Sequence, residues 1–204
     1  MSVLVDANGE RGRLVRRRHR LDVDHGDEVW DGVYIVSSDL NNEHQRIVVR
    51  LSHCFVDSVE SRGLGEVSIG GNVTDREVDW AENYRCPDVA VYLGGTSSSD
   101  RGTHRLGGPD FAVEVVSKGD RSRDKFEFYA PVGTRELLLI DRYPWALELY
   151  RIDGGQLRLV GKSTAEAPWV LTSAVLPLSF RLIAGEARPT ILVAHSDGAR
   201  TWSA

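Results

Sequence analysis

The spacing of apolar residues changes period several times along the chain, and each change marks an element. After Asp31-Gly32, the run Val33-Tyr34-Ile35-Val36 predicts a strand, and residues 37–42 form a polar turn. Over residues 43–60 the period becomes helical: Ile47, Leu51, Phe55 and Val59 recur every four positions, with Val48 and Cys54 beside them. Asn41 or Asn42 suits the cap, and Gly63 and Gly65 end the helix. Residues 66–69 alternate as a strand does, and a weaker strand follows within 73–80. Two short apolar runs come next, each opening with Pro-Asp and joined by a Gly- and Ser-rich loop over 94–108. A second helix is expected over 121–130, with Phe126, Tyr129 and Ala130 facing the core and Gly133 stopping it. Residues 136–141 then read as a buried strand, and 147–152 with 156–160 as a hairpin turning at Asp153-Gly154-Gly155. Residues 176–182 read as peripheral strands and turns.

This order predicts an α/β (α+β) domain built on a mixed sheet rather than a doubly wound one. The domain is expected to run from 28 to 190, preceded by an N-terminal extension (1–27) and followed by a C-terminal tail (191–204). With 41% hydrophobic and 27% charged residues in 204, the composition is that of an ordinary globular chain. No run approaches the ~18 apolar residues of a membrane span, and the first residues do not read as a secretory signal. A cytoplasmic location away from membranes is the expectation. Cys54 and Cys86 lie far apart in core-like segments and read as buried free thiols, without zinc-ligand spacing. The net charge of −5 argues against a protein that coats nucleic acid indiscriminately, though it allows a local basic groove. The one basic run, residues 11–20, holds six arginines; it could meet phosphates, but a solvated terminal segment is its plainer reading.

The chemistry lies in the two Pro-Asp runs, Pro87-Asp88-Val-Ala-Val-Tyr-Leu93 and Pro109-Asp110-Phe-Ala-Val-Glu114-Val-Val116. Side chains alternate faces along a strand, so Asp110, Ala112, Glu114 and Val116 share one face, and Asp88, Ala90 and Tyr92 share one in the other run. An acid inside a buried strand is costly unless paired, hydrogen-bonded or bound to a cation. If the two strands are neighbours, Asp88 and Glu114 converge on a spot suited to a hard divalent cation. The plainer alternative for Asp88 is a turn residue after proline, and for Glu114 a buried pair with an arginine. Coordination, support of the site and a simple strand start all fit Asp110.

The order Pro87-Asp88, then Pro-Asp-x-x-x-Glu-Val-x-Ser over 109–117, then Asp-Lys-x-x-x-Tyr over 124–129, then Arg-Glu-Leu-Leu-Leu-Ile-Asp over 135–141 resembles the Uma-two family of restriction-endonuclease-like proteins. That family is a branch of the PD-(D/E)XK nuclease superfamily. Asp31-Gly32 and Glu43-His44-Gln45-Arg46-Ile47 add to a likeness covering residues 28–182. The resemblance implies a restriction-endonuclease-like core of helix, three strands, helix and strand, here with additional N- and C-terminal β-strands. It also implies a metal-dependent endonuclease acting on DNA phosphodiesters, with Asp88 and Glu114 as ligands of Mg²⁺ or Mn²⁺. The superfamily's lysine two positions after the Glu is replaced here by Val116. The resemblance puts its counterpart at Lys125, on the following helix, with Lys118 as the alternative. Glu43, in the first turn of the long helix and four residues before Ile47, is the candidate for an additional acid. A homodimer is the expected assembly if both strands of a duplex are cut. A second reading keeps the fold without catalysis, as a module binding nucleic acid or a protein partner. No Gly-x-Ser-x-Gly, His-Glu-x-x-His or Walker-type loop points to other chemistry.

Overall fold

The computed structural model describes residues 4–5, 10–37, 41–119 and 121–204. A helix, α1 (Glu10–Arg20), leads into two short strands, β1 (Glu28–Trp30) and β2 (Val33–Ile35), and then the long helix α2 (Asn42–Ser58). Strands β3 (Gly65–Ile69), β4 (Tyr84–Arg85), β5 (Val89–Leu93) and β6 (Phe111–Val115) follow. A 3₁₀ turn, Ser122–Lys125, runs into the single-turn helix α3 (Phe126–Tyr129). The chain continues through β7 (Glu136–Arg142), β8 (Trp145–Asp153), β9 (Gln156–Ser163), β10 (Leu171–Thr172), β11 (Leu178–Ile183), β12 (Thr190–His195) and β13 (Thr201–Ser203).

The central sheet has six strands in the order β9-β8-β7-β6-β5-β3. β6 and β7 run parallel and the other neighbours antiparallel, which makes it the mixed sheet the sequence predicts. Within it the chain runs α2, three strands, the 122–129 helical segment, and β7. β1, β2 and β4 belong to a separate sheet of short strands, and β10 to β13 form a four-stranded sheet.

Asn41 caps α2 by accepting the His44 amide at 2.9 Å, which aims the first turn at the ends of β5 and β6. The helix buries Ile47, Leu51 and Phe55 against Val89, Val91, Phe111 and Val113 of the sheet. Phe55 lies edge-on to both Phe111 and Phe180, so truncating it to Ala should cost ~3–5 kcal/mol. Gly63, at φ 67°, follows the 3₁₀ turn after α2, where a left-handed residue reverses the chain. The other face of the sheet carries Ala112, Leu137 and Leu139 and packs against Phe128, Tyr129 and Val132.

Three expectations change. The second helix is a 3₁₀ turn plus one α-turn, because Arg121 supplies no side-chain cap and few residues separate Gly119 from Gly133. The 191–204 segment is not a tail: Ile191 and Val193 are fully buried beside Phe180, and Ala204 exchanges backbone hydrogen bonds with Ile191. Its Thr-Ile-Leu-Val-Ala-His run has the alternation of a strand, and the core takes its inward side. The basic run, to which the sequence pattern assigns no regular structure, is helical as α1. No helix among the described residues is long and apolar enough to cross a membrane.

Candidate active site

Strands β5 and β6 are antiparallel neighbours with Ala90 opposite Ala112 and Val89 opposite Val113. Continuing that register by one rung sets Asp88 beside Glu114, on the sheet face that also carries Ala112. The small alanines leave room there for the acids. Asp88 Oδ2 accepts the Val115 amide at 2.7 Å, which ties the carboxylate to the end of β6.

Glu114 is buried in mid-strand and is met by two side chains of the 122–129 segment. Lys125 Nζ donates to both its oxygens, at 3.0 and 2.9 Å, and the Tyr129 hydroxyl donates to Oε1 at 2.5 Å. Lys125 also reaches Glu28, at 2.8 Å. Glu28 Oε1 accepts the Cys86 amide at 2.8 Å, and Oε2 accepts the Trp30 indole at 2.6 Å. Two carboxylates from separate stretches of chain, Glu114 and Glu28, therefore meet on one ammonium, and Asp88 stands beside Glu114 as the third acid of the cluster. Of the three, Asp88 opens most to the adjoining cavity, at 18% side-chain exposure against 3% for Glu114 and 5% for Glu28. The cavity holds about 570 Å³, and His44 and Arg121 also line it.

Charge is unbalanced in this cluster. Burial pushes the Glu114 carboxyl well above the usual carboxylate range; Lys125 opposes the shift, while Asp88 and Glu28 add to it. Burial alone would lower the Lys125 ammonium, but Glu114, Glu28 and Asp88 together raise it, so it stays a cation. Burial likewise keeps the Tyr129 and Cys86 protons on. The acids thus outnumber the one ammonium, and the raised Glu114 carboxyl is the response to burial and to their mutual repulsion.

The other residues singled out in the sequence lie elsewhere. Asp110 accepts the Leu93 amide at 2.8 Å and the Arg135 guanidinium at 3.1 Å. It begins the same strand as Glu114, four residues and about 13 Å away, and does not join the cluster. Glu43 is likewise held apart: Arg142 Nη1 donates to it at 3.1 Å and to Asn41 at 3.0 Å, pinning the mouth of α2 to the end of β7. The helical stripe that carries Ile47 inward runs through His44 instead, so Glu43 falls to the side. Lys118 is exposed, and Lys125 is the lysine that reaches the acids.

Sequence reasoning passed over Glu28 and His44. Glu28 opens a short Glu-Val-Trp strand before Asp31-Gly32, the same kind of signal as Glu114: an acid written into a core strand. His44 is buried, with Nε2 3.2 Å from Asp88 Oδ2 and Nδ1 without a hydrogen-bond partner. Its place on the buried stripe of α2 is the signal that finds it.

Among the described residues no three His, Cys, Asp or Glu side chains are already arranged to hold a metal ion. The donor set nevertheless fits one in chemistry: hard carboxylate oxygens from Asp88, Glu114 and Glu28 and an open cavity beside Asp88.

The Uma2 family, described as a putative restriction endonuclease family, matches residues 21–184. Among solved structures, the chain resembles one titled a putative nuclease belonging to DUF820 from Anabaena variabilis ATCC 29413. The TM-score is 0.58 at 15% identity, over 74% of this chain and 83% of that one, which establishes a common fold. Among curated proteins, nothing matches the sequence.

Proposed function

The chain belongs to the Uma2 family, and from that premise we propose that it is a metal-dependent endonuclease that hydrolyses DNA phosphodiesters at the Glu28–Asp88–Glu114–Lys125 cluster. The observation that carries the reading is a lysine in contact with two buried carboxylates, Glu28 and Glu114, with the part-exposed Asp88 beside Glu114 at the wall of an open cavity. Buried anions in excess of their cations are costly, and evolution retains such sites where the charge is used.

Asp88 and Glu114 would hold Mg²⁺ or Mn²⁺, with Glu28 the nearest further carboxylate. When bound, the ion would supply charge to neutralise the phosphate and lower the pKa of an attacking water. Tyr129 and the Val115 amide hold Glu114 and Asp88 in place without competing for charge. Lys125 neutralises part of the acid cluster in the resting site, and its ammonium is placed to stabilise charge building on the phosphate oxygens. His44 supports Asp88 from α2, and the cleft beside it admits the strand. Asp110 and Glu43 have structural partners and are left out of the catalytic assignment. Cutting both strands of a duplex would take two copies of the site, as in a two-fold dimer.

The test is cleavage of supercoiled and single-stranded DNA, and of RNA, with Mg²⁺ or Mn²⁺, by the wild type and by Glu114→Ala and Glu28→Gln. Metal-dependent cleavage lost in Glu114→Ala supports the assignment; equal cleavage by that variant overturns it. One observation favours a second reading, a nucleic-acid-binding module without turnover: Lys125 already bridges Glu28 and Glu114. That reading requires calorimetry to find no Mn²⁺ binding that depends on Asp88.

A further inference from the structure

We propose that α1 is a cationic arm that grips the phosphate backbone of the nucleic acid whose scissile bond enters the carboxylate cleft. The inference rests on the nuclease reading for its substrate and on separate residues for its evidence. α1 (Glu10–Arg20) lies just before residues 21–184, which the family model matches.

Arg13, Arg16, Arg17 and Arg20 are spaced i, i+3, i+4, i+7 and form one stripe along the helix. All four are exposed, and among the described residues none has an ion pair or a side-chain hydrogen bond. Like charges three and four residues apart repel along a helix face, so the stripe is unfavourable until an anion lies along it. The opposite stripe faces the protein: Leu14 and Val15 are partly buried, and the Arg18 guanidinium binds Asp27 at 2.5 and 3.0 Å and the Val23 carbonyl. Asp27 is itself buried and fixed by the Tyr34 hydroxyl and the Ser37 amide. A rigid joint thus holds α1 one residue from Glu28, and His19 in the last turn of the helix lines the cleft of Asp88 and Glu114. The acids beyond the helix, Asp22 and Asp24, face His25 and His19 at 3.0 Å rather than the arginine stripe.

The stripe matches a polyanion in length. Four arginines over eight residues span ~10 Å, and a duplex presents one phosphate charge per ~1.7 Å of its axis. A lipid surface fits less well: Leu14 and Val15 are the apolar residues of the described helix, and they turn toward the protein, leaving no apolar face to insert.

The experiment is fluorescence anisotropy of labelled duplex and single-stranded DNA and RNA across a salt series without divalent ions. The wild type is compared with the variant carrying Arg13→Gln, Arg16→Gln, Arg17→Gln and Arg20→Gln. Arg18 is kept, because it anchors the helix. Glutamine preserves helix propensity, and an unchanged melting temperature confirms folding. We expect at least a tenfold loss of affinity at low salt and a slope of log K against log salt shallower by about 3 for duplex DNA. The double variant Arg13→Gln with Arg17→Gln should lose about half of that slope change, which keeps the test open if the quadruple variant does not fold. Unchanged affinity and slope in the variants, no nucleic-acid binding by the wild type, or preferential capture of the wild type by phosphatidylserine vesicles would each overturn the arm. Arginine-dependent binding by a wild type that cuts nothing with any divalent ion leaves the arm standing and removes the endonuclease. Cleavage by the quadruple variant with unchanged KM and salt dependence does the reverse.

Discussion

Glu114 and Glu148 lie on one rung of the central sheet, two strands apart with Leu139 between them. Each meets a tyrosine hydroxyl and a cation from the same 3₁₀ turn. Glu114 has Tyr129 and Lys125; Glu148 has Tyr150 at 2.7 Å and Arg123 at 2.6 Å, with Lys162 at 3.0 Å on its other oxygen. Yet their protons are held oppositely. Burial pushes Glu148 up too, but hydrogen bonds from Arg123, Tyr150 and Lys162 overcome it and bring the carboxyl down to about 2. At Glu114 burial wins, and Asp88 and Glu28 reinforce it. The partners' exposure separates the sites as well: Arg123 is half exposed, whereas Lys125 is largely buried. A mid-strand glutamate with more cations than anions around it is a structural clamp; one with more anions than cations is, on the function proposed above, where a positive charge would bind.

Substitutions can break this contrast, beginning with activity. Glu114→Ala should reduce metal-dependent cleavage to background, whereas Glu148→Gln should keep cleavage within a few-fold, both read from initial rates on plasmid DNA. Removing the cations comes next. Lys125→Met leaves Glu28 and Glu114 without their buried ammonium and should destabilise the chain by roughly 3–5 kcal/mol in urea unfolding. Arg123→Met, at the half-exposed partner and with Lys162 still on Glu148, should cost less, about 1 kcal/mol. Mn²⁺ should raise the melting temperature of Lys125→Met more than that of the wild type, since the ion replaces the missing charge. A smaller effect is expected for Tyr129→Phe, which removes a buried hydrogen bond to a carboxylate at a cost of about 1.5–3 kcal/mol and should weaken Mn²⁺ binding in calorimetry.

The smallest effects are in pH dependence, and they should carry opposite signs. Glu148 has a folded pKa below its ordinary 4.5, so its stabilisation is present above pH 4.5 and fades as the pH falls toward 2. Glu148→Gln should therefore melt lower than the wild type at pH 6 and approach it near pH 2. Glu114 has a raised folded pKa, so its contribution is present below pH 4.5 and is lost as the pH rises through the folded value. The melting temperature of Glu114→Gln should gain on the wild type as the pH climbs from 4.5 toward 8. Parallel curves for the two variants would remove the distinction drawn between the sites.

Much of the fold was legible because periodicity and punctuation agree. The α2 stripe, the two acid-bearing strands and the hairpin turning at Gly154-Gly155 all formed where the pattern placed them. The pairing of Asp88 with Glu114 was legible as well, since a period of two fixes the faces once the strands are neighbours. Lys125 came from the family motif rather than from spacing, because nothing local distinguishes a lysine in a 3₁₀ turn from a solvated one. Glu28 was missed because its strand has only three residues, too few for alternation to stand out. Glu43 misled because position in the first turn of a helix does not say which side meets Arg142, a residue 99 positions away.

The sequence by itself determined that the two Pro-Asp strands are buried, which of their faces carries acid and where α2 begins, since these follow from local sterics and the period of side-chain direction. Only the tertiary structure decided the partners. It brought Glu28 from the N-terminal strand pair to Lys125, separated Asp110 from Glu114 along a single strand, and gave two glutamates on one rung opposite charge environments. Those outcomes depend on distances between segments remote in sequence and on how much water remains between them, and a one-dimensional pattern encodes neither.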